Sequence, residues 1–393
     1  MKKTKEYIVN TLRHCVEEVR MTMKDQGALI FLFFVPLVYP LIYASIYDAE
    51  LVNDVPLVVV DNSRTSKSRS LVRKIDATQG IKVAGYAADM QEAREALAEK
   101  ACFGVVLIER DFGTDIGRGE RGDVTLFCDM SLLVRYKSLL IGVTEATLDL
   151  GHDIQVESLG ALGADGPKLP PVYTPSFYAL GNPQQGFATF LMPGILMLVL
   201  QQTILLTLCL LGGGLYERRR ANGWISSYLS TPIAGGATTR LLGKSMAYFI
   251  VYFGQLIYML CIVPHIFSYP QEAGFVEILA LSVPYIFAVV MLGMTLHPFV
   301  RERESVFLLV VFTSVLMVFL SGITWPVYAF PKWLKFLSGM LPSTWSMHAF
   351  ERLNADGASL AEVSHEIYML WILAACFFMT AVCANKWSQL RRR

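Results

Sequence analysis

Six long intervals of this chain contain no Asp, Glu, Lys or Arg: between Asp25 and Asp48, Lys168 and Glu217, Lys244 and Glu272, Glu277 and Arg301, Glu304 and Lys332, and Glu366 and Lys386. Each holds a stretch long enough to cross a bilayer core, which takes about 20 apolar residues in a helix. A central Asp, Lys or Arg costs about 2.5–3.5 kcal/mol on insertion, so ionised side chains are kept out of such stretches. The intervals predict six membrane-spanning helices at 28–47, 187–215, 246–268, 278–297, 305–323 and 367–385. Composition agrees: 17% of residues are charged, against about 25% in soluble domains.

The short loops set the direction. With the N-terminus inside, the cytoplasmic pieces 1–27, 216–245, 298–304 and 386–393 carry Lys2, Lys3, Lys5, Arg218, Arg219, Arg220, Arg301, Arg303 and Arg391 among others. The opposite short pieces are poor in Lys and Arg: 269–277 has none. Basic loops stay cytoplasmic, so both termini are expected inside and residues 48–186 outside. The first span starts too late, and its apolar run is too long, for a cleaved signal peptide. Ahead of it, Ile8, Leu12, Val16, Val19 and Met23 recur at helical spacing. This predicts an amphipathic N-terminal helix over 1–27, lying in the cytoplasmic interface or simply solvated.

Residues 48–186 read as alternating strands and helices. Strands are expected at Pro56–Asp61, Ile81–Tyr86, Phe103–Ile108 and Asp123–Phe127, and helices at Ser66–Ala77, Met90–Lys100 (with Asp89 as N-cap) and Leu132–Leu159. That alternation implies an α/β domain with a mainly parallel sheet, followed by a Gly- and Pro-rich linker over 160–186. If this domain is exported, Cys102 and Cys128 are candidates for a disulfide. The fold class is therefore an α-helical polytopic membrane protein of six spans with an extracytoplasmic α/β domain inserted between the first and second. The outer segment 324–366 sets Trp325, Tyr328, Phe330, Trp333, Phe336 and Trp345 among Pro326, Pro331 and Pro342. It is expected to form short helices at or dipping into the outer interface, where amphipathic rings reside.

Enzyme chemistry finds no foothold. Thr238–Ser245 ends like a phosphate-binding loop, but Thr238 replaces the first glycine and a membrane span follows. The histidines fall in no metal-ligand spacing, so neither a metal nor any other cofactor is expected on this chain. The net charge of +1 offers nothing to nucleic acid. Polar residues inside spans are few. Gln201, Gln202 and Gln255 line a translocation path or a subunit interface, or else hydrogen-bond between helices. Span centres carry no ionisable group, so energy for active transport is expected from outside the chain.

The cytoplasmic loop 216–245 is where that energy is expected to arrive. Its charged cluster is followed by an amphipathic stretch, Trp224–Leu229, with Ile225, Tyr228 and Leu229 on one side. Thr231–Pro232 then breaks the chain, and a second short helix over 236–245 leads into the third span. The amphipathic stretch suits docking in a partner's groove, or else anchoring at the interface.

Here the sequence resembles the ABC-2 type permeases, membrane subunits of ATP-binding-cassette exporters. Glu217, Arg218, Gly223, Thr231, Pro232, Gly243 and Lys244 look like that family's loop signature. Gly322, Pro326, Pro331, Trp333 and Pro342 look like its Gly- and Pro-rich run before the last span. The one-plus-five arrangement of spans and the large outer insert resemble its drug- or lipid-exporting branch. The resemblance implies a subunit of an exporter in a bacterial cytoplasmic (inner) membrane, moving an apolar or amphipathic substrate. It also implies a second permease, identical or not, and separate cytoplasmic ATPase subunits that carry the ATP and Mg. A periplasmic adaptor is a further partner in a double-membrane cell. The alternative is a membrane-anchored protein whose outer domain binds another protein without transport.

Overall fold

The structure, a computed structural model, describes residues 2–47, 52–161, 186–221 and 236–390. The chain divides into two units, one holding Met1–Asp48 and Ala188–Arg393, the other Ala49–Tyr178. Among the described residues six helices are long and apolar enough to cross a membrane, in the same six segments that the charge-free intervals mark.

The chain starts with α1, Lys2–Thr22, and turns at Asp25 into α2, Gln26–Ile46. Asp25 caps α2 by accepting from the Ala28 amide. Within α2 the turn Ile30–Phe34 widens to a π-helix just before Pro36. A proline ring clashes with the carbonyl four residues back and brings no N–H to it. Widening the turn ahead of the ring accommodates both defects.

The inserted unit runs β1 (Val55–Asp61), α3 (Ser66–Asp76), β2 (Ile81–Tyr86), α4 (Met90–Ala98), β3 (Gly104–Ile108), α5 (Phe112–Gly117), β4 (Val124–Cys128) and α6 (Leu133–Ala161). The helix starts are sequence-encoded. Thr65 and Ser68 form a reciprocal capping box on α3, and Asp89 accepts from the Gln91 and Glu92 amides at the head of α4. The sheet order is β2-β1-β3-β4. β1 pairs in parallel with β2 and β3, whereas β4 returns antiparallel to β3. Two of the three pairings are parallel, as expected of a mainly parallel sheet; the antiparallel one lies at the β4 edge, where the link from β3 holds only the short helix α5, unforeseen from sequence. Leu57, Val59, Val106 and Ile108 pack with α3 and α6 on one face; Val58, Val60 and Val105 pack with Ala93 on the other.

The two cysteines of this unit do not pair. Cys102 is buried with the second face and Cys128 packs on the first, so the sheet itself stands between them, and both are free. Burial pushes both thiols up from their ordinary value.

The remaining helices are α7 (Phe187–Ala221), α8 (Gly236–Ile257, continued through Tyr258–Ile262 and Val263–Ile266), α9 (Phe275–Leu296), α10 (Arg303–Leu320), α11 (Lys332–Gly339), α12 (Pro342–Asn354) and α13 (Ser364–Leu390). Residues 236–245 are the start of α8 rather than a separate short helix, because nothing between Gly236 and Ile257 interrupts the backbone ladder. Their phosphate-loop-like letters therefore lie on a continuous helix. α7 is the central element: 83% of its apolar window is buried, against 22% for α2 and 18% for α10. The segment 324–366 is built on its prolines. Pro326 precedes a 3-10 turn at Val327–Ala329, Pro331 precedes α11, and Pro342 opens α12, the positions where a missing N–H is harmless. Trp325, Tyr328, Trp333 and Phe336 are exposed, while most of α12 is buried.

Candidate coupling site at one end of the helix bundle

Glu18 and Asp25 are the two buried carboxylates among the described residues, 3% and 5% exposed. Glu18 lies in the last turns of α1 and Asp25 just beyond its end, and each meets one limb of the loop 216–245.

The outgoing limb is the end of α7. Arg218 Nη2 lies 3.2 Å from Asp25 Oδ2. Arg303, the first residue of α10, holds both oxygens of Asp25, with Nη1 3.2 Å from Oδ1 and Nη2 bonded to Oδ2. Glu217 Oε1 in turn accepts from the Arg303 backbone N–H at 2.8 Å, and its Oε2 lies 3.7 Å from Arg303 Nε. That N–H is one of the unsatisfied donors at a helix start, and a carboxylate there also meets the positive end of the helix dipole. Gly212–Gly213–Gly214 make the approach possible: a Cβ on Gly212 would stand 2.6 Å from the His297 carbonyl.

The returning limb is the start of α8, and α1 lies along it. Tyr7 Oη is 2.8 Å from Thr238 Oγ1. Lys244 Nζ is 2.8 Å from Glu18 Oε2, Tyr248 donates to Glu18 Oε1 at 2.8 Å, and Thr22 Oγ1 lies 3.1 Å from the same phenol. Between these contacts Gly243 faces the α1 backbone, where a Cβ would stand 2.6 Å from the Thr11 carbonyl. The Gly-Lys pair singled out in the sequence thus has a physical account: the glycine admits α1, and the lysine neutralises its buried acid.

Gly223, Trp224, Ile225, Tyr228, Leu229, Thr231 and Pro232 lie outside the described residues. Of the sequence-selected loop residues the structure brings Glu217, Arg218 and Lys244 to this site. It adds Glu18, Asp25, Arg303 and Tyr248, which the sequence reading passed over. A signal was present: Tyr7, Thr11, His14, Glu18, Thr22 and Asp25 recur at the same helical spacing as the apolar stripe. The polar stripe meets protein, whereas Ile8, Leu12, Val16, Val19 and Met23 are exposed.

The glutamines within the spans serve backbone groups elsewhere. Gln201 is fully buried, and its Oε1 accepts from the Ser343 amide at 2.9 Å, a donor left open at the start of α12. Its Nε2 and that of Gln202 approach Met317 Sδ at 3.3 and 2.8 Å. Gln255 donates to the Leu32 carbonyl, the acceptor that Pro36 leaves without its N–H. The same device recurs in α8, where Gln271 donates at 2.7 Å to Leu260 O, four residues before Pro264. Gln255→Leu is expected to destabilise the bundle by about 0.6–1.7 kcal/mol, the span measured for interhelical hydrogen bonds in membranes. Unfolding in mixed micelles measures it, and an unchanged midpoint would show that the carbonyl finds another donor.

Near the other ends of α7 and α8, Met192, Leu196, Met259, Val263, Phe350 and Asn354 line a cavity of about 30 Å³, enough to admit water. Among the described residues no group of His, Cys, Asp and Glu is placed to hold a metal ion.

A bundle of six apolar helices with a charged knot at one end defines a multi-pass membrane protein. A family model described as ABC-2 family transporter protein matches residues 27–383, and the chain belongs to that family. Over 391 aligned residues it is 21% identical to the linearmycin resistance permease protein LnrN of Bacillus subtilis (strain 168), an alignment covering 94% of this chain and 97% of that protein. The chain is thus an ABC transporter permease of the ABC-2 class, and such permeases work with ATP-binding subunits.

Proposed function

We propose that this permease exports an apolar or amphipathic molecule, drug- or lipid-like, from the cytoplasm or the inner leaflet. Separate ATPase subunits, which bind the ATP and Mg and dock on 216–245, power the movement; the chain itself hydrolyses nothing. The observation that carries this reading is the anchorage of both limbs of 216–245 in the bundle, so that force on the loop cannot dissipate locally. That the LnrN protein is a resistance permease supports a drug-like substrate.

The excess of Lys and Arg on 1–27, 216–245, 298–304 and 386–393 supports cytoplasmic termini in a bacterial inner membrane. It likewise supports an outside position for the α/β unit within 48–186. A second permease covers the apolar side of α10, where Leu308, Val311, Phe312 and Phe319 are exposed. Gln201 and Gln202 would then stand close to the path on the face of α7 that meets α10. In a double-membrane cell a periplasmic adaptor receives the substrate from the outer unit.

Purification of the tagged chain in gentle detergent is expected to bring an ATPase with it. Asp or Pro placed within Trp224–Leu229, or Glu217→Arg, is expected to leave insertion intact and to lower export at least tenfold per ATP hydrolysed. Copurification without any ATPase, or normal export by these variants, overturns the reading and favours an interaction protein.

A further inference from the structure

We propose that Glu18 and Asp25 are positioning residues. They fasten the two limbs of 216–245 to the N-terminal segment and carry displacement of the loop into α2 and α10. The second half of this statement rests on the proposed function; the first does not.

The connections form two closed paths. From the outgoing limb, Arg218 reaches Asp25 at 3.2 Å, and Asp25 is itself the cap of α2, accepting from the Ala28 amide at 3.3 Å. Asp25 also grips Arg303 at the head of α10, and Glu217 closes the path by holding the Arg303 backbone N–H at 2.8 Å. From the returning limb, Lys244 and Tyr248 hold Glu18 at 2.8 Å each, and Glu18 is joined to Asp25 through the end of α1 and a turn in which the Lys24 and Asp25 amides donate to Met21 O and Thr22 O. One segment of eight residues therefore links both ends of the loop to two spans.

Burial makes these links stiff. A carboxylate withdrawn from water is held to its cation far more tightly than a surface pair, because leaving it unpaired is costly. The guanidinium fork of Arg303 fixes direction as well as distance by meeting both oxygens of Asp25. Arg218 and Arg303 remain partly exposed, so each can follow the acid without breaking the pair.

The test has two arms, both read by hydrogen exchange on the full chain in detergent. In the first, the chain alone is used. Glu18→Gln is expected to speed exchange of amides in 5–22 at least tenfold, and Glu18→Asp to do so less. Unchanged exchange in Glu18→Gln overturns the fastening. In the second arm the chain is purified with its ATPase and compared with and without ATP plus vanadate. Wild type is expected to change exchange at 236–244 and at 297–306. Asp25→Asn keeps the first change and loses at least four-fifths of the second, and Asp25→Glu restores it. Should Asp25→Asn fail to fold, Arg303→Lys, which keeps the charge and loses the fork, is expected to lose part of the same change. A full wild-type response at 297–306 in both variants overturns the transmission role. Absence of any copurifying ATPase sinks the proposed function and leaves the fastening to be decided by the first arm.

Discussion

Gly243→Val detaches α1 from α8. The first side-chain carbon would stand 2.6 Å from the Thr11 carbonyl oxygen and 2.6 Å from His14 Cβ, and neither is the far end of a flexible side chain that can swing aside. Overpacking of this kind costs about 1–3 kcal/mol. The larger effect follows from it: moving α1 outward separates Glu18 from Lys244, and losing one partner of a buried pair costs about 3–5 kcal/mol. Those two terms overlap, since the helix relieves one by incurring the other. The expected result in detergent is rapid tryptic cleavage at Arg13 and Arg20, with Gly243→Ala showing a weaker form of the same change. A wild-type cleavage pattern in Gly243→Val would refute the packing described for this crossing.

Leu57→Ala destabilises the inserted unit without touching the spans. Leu57 is 0% exposed at the centre of β1 and shares a core with Leu71, Ile75, Val106 and Leu139. Truncating a buried leucine costs about 2–5 kcal/mol, a large fraction of the 5–15 kcal/mol typical of a whole domain. At about 4 °C per kcal/mol for a unit of somewhat over 100 residues, its melting point is expected to fall by about 8–20 °C. Protease resistance of residues 52–161 within the full chain, followed against temperature, gives the measurement. Phe127→Ala, on an exposed position of the edge strand β4, serves as the control and is expected to move the midpoint far less.

The spans were legible because lipid imposes one rule on every residue of a crossing helix, and the rule can be read locally. The inserted unit was legible for a related reason: caps such as Asp89 and runs such as Pro56–Asp61 act within a few residues of themselves. What stayed hidden depends on partners far along the chain. Fifteen residues, 109–123, suit either a parallel crossover or a return, so the direction of β4 was not decided by its own letters. Nothing near Gln255 announces that its amide serves Leu32. Glu18 and Asp25 were overlooked because an amphipathic pattern draws the eye to its oily side, while here the polar side makes the contacts. The centre of the loop, from Gly223 to Pro232, lies outside the described residues, so its docking role rests on sequence alone.

The proline arrangement in α2 and α8 has a mechanical consequence. α2 lacks the rungs at Leu32 and Pro36, opposite Pro36 and Pro40, and α8 lacks the one at Leu260; at Leu32 and Leu260 the gap is bridged by an amide borrowed from a side chain on a different stretch of backbone. A rod with a missing rung flexes there first, and the borrowed amide sets how far. Straightening or folding either rod must lengthen that bridge, so the two crossings are notched at fixed heights and restrained by a latch that is easier to open than a backbone bond.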